Sequence, residues 1–492
     1  MGLGRNIPKD ADVRTSLAQW SARSVDLCDV ARVTIDMLPD VALLEIFHFY
    51  VDEARCTEDW YALVHVCQKW RNVVFGSPRR LNLRLWCARW TPVRKTLDAW
   101  PLLPIEVFDE EIEGLEVDNI IAALEHNDRI CNLDFHSLSP GSGSEKVLAA
   151  MQQPFPELTS LRLFGDEIPV QPDSFLGGSA PRLRTLSLLS IPFPGLPRLL
   201  LSATHLVYLG LYDIPHSGYI SPETMVACLS ALTSLRSLYF EFESPRSCPD
   251  RKRRRPPPPT RTILPVLTEL DFVGVSEYLE DFVARIDAPL LDKLQIAFFH
   301  QLIFDTLHLT QFVSRIPKFK AYNEARVEFN PRSVRVTLRQ TSNGRISLGT
   351  RCRESDWQLS SVAQLCRSFF DQSLIPMVEH LHILENSLYK DGIRDLNWPD
   401  DIESDQWVEL LHQFPATKGL YISQGLEPHI APTLQELVGG RVTEVLPDLQ
   451  TLFLEETLPP GPVREAIGRF VAARQLTSHP IALSSWERKY YD

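Results

Sequence analysis

The chain has 492 residues, about three times the usual domain length, so it can bury a large core as several domains or as one long repeat array. Fifty Lys and Arg against 63 Asp and Glu leave a net charge of −13, which argues against broad contact with nucleic acid or an anionic membrane. A hydrophobic content of 44% with 23% charged residues excludes disorder throughout.

Residues 1–34 form a leader, partly helical or disordered, without an apolar run of signal-peptide length, and no stretch approaches the ~20 apolar residues of a membrane span. The nine cysteines are scattered, with no CxxC pair, so free thiols are expected rather than a disulfide framework or a zinc module. The expected location is cytoplasmic or nuclear, with no membrane partner. From 35 to 78 the pattern is helical. Pro39 opens one helix, with Val41, Leu44, Phe47 and Val51 on one apolar face. Thr57 opens a second, carrying Leu63, Val66, Cys67, Trp70, Val73 and Val74 at helical spacing until Gly76, Ser77 and Pro78 stop it.

Leu38-Pro39-Asp40 followed by Leu43-Leu44-Glu45-Ile46-Phe47, and then Val66-Cys67-Gln68-Lys69-Trp70-Arg71, resembles an F-box, the three-helix module that docks onto the Skp-type adaptor of cullin-based ubiquitin ligases. The resemblance places Leu38 and Pro39 at the adaptor contact. It has Leu44, Ile46, Phe47, Val66, Cys67 and Trp70 form or support the apolar surface there. The segment Val51 to Trp60 is longer than in the compact form of the module.

From about 79 to 480 a second pattern takes over. L-x-x-L-x-L or a near copy starts at Ile130, Leu158, Leu183, Leu206, Leu235, Leu267 and Leu291, in steps of 28, 25, 23, 29, 32 and 24 residues. Further copies start at Val378, Thr417 and Leu449, and Pro317 before Phe319 marks a degraded one. In a short strand, positions 4 and 6 point into one core and positions 3, 5 and 7 point out. One unit cannot bury its leucines alone, whereas stacked units can. Helix-like segments intervene. Ser221-Pro222 and Ser276 begin two of them, and Ser355 with Gln358 and Thr433 with Glu436 read as capping boxes. Prolines number 37 against 22 glycines, and eight of them stand two residues before a repeat anchor, where they end a helix and launch a strand.

The expected fold is therefore α/β: a three-helix module, then an irregular solenoid with parallel strands on its concave side, helices on its convex side and a tail from 481 to 492. This resembles leucine-rich-repeat proteins, of the fungal type, in which an F-box precedes the array. Two insertions interrupt it. Residues 244–260 hold six basic residues, one acid and four consecutive prolines, and read as a solvated loop. Residues 331–350 alternate around Asn343-Gly344 and read as a hairpin decorating the edge of the solenoid.

No catalytic signature emerges. Gly141-Ser142-Gly143 lacks the rest of a phosphate loop, Asp109-Glu110-Glu111 reads as a solvated charge run, and His380 with His382 reads as a surface pair rather than a metal site. No cofactor is expected. The outward strand positions supply Phe164, Tyr208, Tyr212, Tyr239, Glu241, Tyr421 and Phe453, either a recognition surface for a protein target or side chains covered by the C-terminal segment. The family resemblance implies a non-catalytic substrate receptor, binding a Skp-type adaptor and through it a cullin. The alternative is an interaction scaffold that assembles no ligase.

Overall fold

The computed structural model describes residues 35–53, 57–76, 81–88, 92–99, 102–109, 116–138, 140–248, 260–299, 304, 306–320, 322–340, 344–352, 357–369, 377–385, 404–439, 441–455 and 461–488. The chain divides into two compact units, Met1–Arg84 with Pro101–Pro104 and Leu85–Trp100 with Ile105–Asp492.

In the first unit a short 3-10 turn, Ile35–Met37, leads into three helices, Asp40–Glu53, Thr57–Val66 and Gln68–Gly76. Leu43, Leu44, Phe47, Leu63, Val64, Val73 and Val74 are buried, and the Phe47 and Trp70 rings lie 4.6 Å apart. Two sequence expectations are corrected. Val41 does not share the inward face of Leu44 and Phe47. That face, set by Leu43, Leu44 and Phe47, is centred close to Phe47, and at 100° per residue Val41 lies roughly 110° round from its centre, so it is exposed. The helix expected to run unbroken from Thr57 to Val74 breaks at Cys67. The Trp70 N–H donates to Cys67 Sγ at 3.4 Å, so the thiol caps the next helix as a serine would. Arg71 Nε donates to the Val64 carbonyl at 3.1 Å, satisfying a group near the end of the preceding helix.

The strands are β1 (Leu83–Trp86), within which the division between units falls, β2 (Ile105–Phe108), β3 (Ile130–Leu138), β4 (Ser160–Gly165), β5 (Thr185–Leu189) and β6 (Tyr208–Ile214). There follow β7 (Ser237–Phe242), β8 (Thr262–Ile263), β9 (Glu269–Gly274), β10 (Ile286–Asp287), β11 (Lys293–Phe299) and β12 (Glu324–Asn330). The last are β13 (Ser333–Arg339), β14 (Arg345–Arg351), β15 (His380–Glu385), β16 (Gly419–Ile422), β17 (Thr451–Leu454) and β18 (Ala482–Ser485). In the second unit one long, mostly parallel sheet runs β2-β3-β4-β5-β6-β7-β9-β11-β14-β13-β12-β15-β16-β17-β18, while β8 and β10 pair separately.

Register explains the repeat. Leu161, Leu186, Leu209, Leu238, Leu270 and Leu294 are Cα partners from strand to strand, so each position-4 leucine stacks on the next. The anchors Leu158, Leu183, Leu206, Leu235, Leu267 and Leu291 are buried beside them. Each buried leucine of this kind contributes ~1.5–3 kcal/mol, so the column is a substantial part of the stability of the array.

The prolines act differently from the expectation. The anchor N–H of Leu158, Leu183, Leu267, Leu291, Thr417 and Leu449 donates to the carbonyl three residues back. Pro156, Pro181, Pro265, Pro289, Pro415 and Pro447 thus occupy the second position of a β-turn, which their fixed φ suits. Leu206 and Leu235 make the same turn without proline, so the turn belongs to the repeat and proline only rigidifies it.

The hairpin is real, but it does not sit at the edge. β12, β13 and β14 form an antiparallel meander inserted as a block, with β14 parallel to β11 and β12 parallel to β15. Both outer strands of such a block carry unpaired ladder groups, and lodging it inside the sheet satisfies them. Its register also moves one anchor. Ala325 and Val327 pair with Leu381 and Ile383, which places Tyr322 opposite Val378 where Phe319 was expected.

Of the expected helix caps, the one at Ser221 holds and others shift. The helix Pro222–Leu229 is capped by Ser221, whose side chain accepts from the Thr224 N–H at 3.3 Å. Thr433 is no cap: it lies inside the helix Glu427–Glu436, which starts earlier. Gln358 donates to the Asn330 carbonyl at 2.7 Å, and Ser355 lies outside the described residues. The expected tail contains β18, parallel to β17. Residues 1–34, 249–259 of the basic loop, and Pro376 also lie outside the described residues.

Candidate functional site

The first unit carries apolar side chains in water. Met37 is 61% exposed, Ile46 46%, Phe49 68% and Val66 58%, with Ile35, Val41 and Tyr50 also exposed. Single exposed apolar residues are ordinary, but seven within 32 residues of sequence are not. Of the predicted adaptor residues, Ile46 and Val66 lie on the surface, Pro39 is exposed, and Leu38, Cys67 and Trp70 are half-buried. Leu44 and Phe47 are completely internal. They can support a contact surface but not form it. Lys69 Nζ donates to the Leu38 carbonyl at 3.1 Å, tying the two motifs together.

In the second unit the outward strand positions group into three clusters. In the first, Asp134 Oδ1 lies 2.9 Å from His136 Nε2 and Oδ2 3.6 Å from Arg162, while the Phe164 ring meets His136 edge-on at 4.5 Å. Burial raises the Asp134 pKa despite these partners. Asp109, expected in a solvated run, is buried and accepts from the His136 backbone N–H at 2.9 Å. Glu110 and Glu111 lie outside the described residues.

The second cluster gathers the tyrosines. The Tyr208 and Tyr212 hydroxyls are 2.6 Å apart, and Tyr239 Oη donates to Glu269 at 2.6 Å. Their rings meet over Gly210, where a Cβ would lie 2.7 Å from Tyr212. Glu241 is paired with Arg351. Beside them opens a pocket of about 230 Å³, lined by Tyr212, Tyr239, Asp271, Gln295 and Arg335 among others. Burial pushes Asp271 up to about 6.

The third cluster is a stack. His382, Tyr421 and Phe453 lie nearly parallel, with ring centroids 4.1 and 4.2 Å apart, and Trp486 abuts His382 and Tyr421 edge-on. Trp486 is held by its own N–H to the Leu454 carbonyl at 3.0 Å. Part of the expected recognition surface is therefore covered by the C-terminal segment. His382 is likewise no surface imidazole, since its side chain is only 15% exposed and 3.7 Å from Glu324. Among the described residues no group of three or more His, Cys, Asp or Glu is placed to hold a metal. None of the seven described cysteines is in a disulfide.

Burial lowers the His382 pKa to about 4. A depressed histidine pKa favours folding above the unfolded value of ~6.5, and this contribution is lost as pH falls from there towards the folded value. Wild type is expected to lose ~2–3 kcal/mol over this window relative to His382→Phe, which keeps the stack without titrating. Urea unfolding at pH 7 and pH 4.5 checks it; identical pH slopes would refute the assignment. The comparison with the variant removes the opposite contribution of Asp271, which favours folding as pH falls through about 6.

No family model matches the chain, and no curated protein does. Among solved structures, the leucine-rich repeat-containing protein LegL7 from Legionella pneumophila aligns over 79% of this chain and 97% of its own, at 12% identity and a TM-score of 0.27. The repeat character of the chain rests on its own ladder of paired leucines. No helix among the described residues is long and apolar enough to cross a membrane.

Proposed function

We propose that the chain is a substrate receptor of a Skp-cullin-F-box type ubiquitin ligase, acting in the cytoplasm or nucleus. The first unit docks the Skp-type adaptor, and the outward face of the array presents a protein target. The observation that carries this reading is the coincidence of motif and exposure. Ile46 and Val66, which the F-box resemblance assigns to the adaptor, are exposed on helices whose interior is closed by Leu44 and Phe47. A lone three-helix unit gains nothing from holding such side chains in water, whereas a helical partner would bury them. The array would contribute geometry, holding the target at a fixed distance from the transferring enzyme, without itself performing chemistry.

Affinity capture of the full chain from cells with the proteasome inhibited tests the reading, comparing wild type with Leu38→Ala/Pro39→Ala. Wild type is expected to recover adaptor and cullin. Both chains should retain the target, ubiquitinated only with wild type. Equal adaptor recovery by the two chains would overturn the assignment, and adaptor recovery without cullin would favour a scaffold that assembles no ligase.

A further inference from the structure

Where the meander enters the sheet, cations accumulate on its outward face. Lys293 on β11, Arg345 on β14 and Arg339 on β13 are successive Cα partners, one strand spacing of ~4.8 Å apart. Arg335 stands further along β13, opposite Gly349, where the backbones approach so closely that a Cβ would lie 2.9 Å from the Val334 carbonyl and 3.5 Å from Arg335 Cβ. Like charges placed directly across a sheet destabilise it, and the chain as a whole is acidic.

The nearby acids also hold other partners: Glu269, the Cα partner of Lys293, accepts from Tyr239 at 2.6 Å, and Asp271 lies within the fields of both Arg335 and Lys293. Glu324 holds Arg326 at 2.5 Å, Asp271 accepts from Gln295 at 2.9 Å, and Glu241 is paired with Arg351. Glu328 is the Cα partner of Arg335 but forms no ion pair with it. The side chains of Lys293, Arg335 and Arg345 make no hydrogen bond or ion pair among the described residues, and Arg345 Nε is sealed from solvent without an acceptor. Burial, with the charges of Arg339, Arg335 and Arg326, lowers the Arg345 pKa against the opposing charge of Glu328.

We propose that Lys293, Arg335 and Arg345 form a binding site for a phosphoryl group. A dianion with three strong acceptor oxygens matches several cations on adjacent strands better than a single carboxylate does. The remainder of the ligand has space in the adjoining pocket, which Arg335 shares with Tyr239, Gln295 and the carboxyl groups of Asp271 and Glu241, so a neutral or basic remainder suits it. The ligand relieves a repulsion built into the sheet, so binding and stability are coupled. The site stands whether or not the first unit docks an adaptor.

The test titrates the full chain, by calorimetry and thermal unfolding, with pyrophosphate, a phosphoserine peptide and that peptide with glutamate in place of phosphoserine. Wild type is expected to bind a phosphoryl probe, more weakly as salt rises, and to melt at higher temperature with it. Arg345→Gln should weaken binding at least about tenfold while leaving the ligand-free melting temperature unchanged or raised. Arg182→Gln, which removes a distant surface pair with Glu157, should bind as wild type does. Binding of both probes identifies a free phosphate compound as sufficient, and binding of the phosphopeptide alone identifies a phosphorylated partner segment; either supports the site. No binding of either probe to wild type, equal affinity in Arg345→Gln, or a glutamate peptide as tight as the phosphopeptide would overturn it.

Discussion

Replacing Arg474 with methionine is expected to cost ~3–5 kcal/mol of stability, the range seen when a buried charged group is removed from partners that stay behind. Arg474 lies in the last turn of the helix Pro462–Gln475 and is fully buried. Its guanidinium donates to the carbonyls of Val442, Leu446, Pro447 and Leu449 at 3.1–3.3 Å. These carbonyls belong to the bend that leads into β17, so one side chain ties the last helix to the entry of the strand. Burial lowers the Arg474 pKa. Methionine fills similar volume but leaves the carbonyls without donors. Arg474→Lys should recover only part of the loss, because a compact ammonium cannot span the fan of acceptors that a planar guanidinium reaches. Urea unfolding of the two variants gives the ranking directly. A loss below about 1 kcal/mol for Arg474→Met would mean that water replaces the guanidinium.

The second large effect concerns binding. Ile46→Asp/Val66→Asp is expected to weaken adaptor binding more than ~100-fold, as introducing two charges at the centre of an apolar contact does. Because both positions are exposed, the free chain should keep its melting temperature within the ordinary range for surface substitutions. Leu44→Asp, by contrast, should unfold the module, since Leu44 is internal. This separation of surface from interior is what the structure adds to the motif.

The repeat was legible in the sequence because its cause is local. Leucines at positions 1, 4 and 6 must share a core wherever a strand is short, and the register lines them up as the spacing requires. The meander was legible as a hairpin but not in its position, because alternation fixes which face a residue takes and says nothing of which strand lies beside it. Only the pairing of Ile346 with Leu294 and of Ala325 with Leu381 reveals a block lodged in mid-sheet. The break at Cys67 was hidden because Leu63, Val66 and Trp70 fit one uninterrupted helix, and a cysteine cap carries no sequence signal comparable to serine or aspartate. The outward aromatics were found, yet their fates differ. Tyr212 and Tyr239 line an open pocket, whereas Tyr421 and Phe453 lie in a stack flanked by Trp486, a residue from far along the chain. Arg474 would pass in any sequence reading for a solvated charge at a helix end, and the cations of the meander converge only through strand order.

The central claim, that the first unit is an adaptor-docking module, is tested most directly by titrating a purified Skp-type adaptor into the intact chain and into Ile46→Asp/Val66→Asp. Saturable binding by the wild-type chain, with none detectable for a double variant of unchanged melting temperature, is the predicted result. No binding by wild type, or equal binding by both chains, would contradict it.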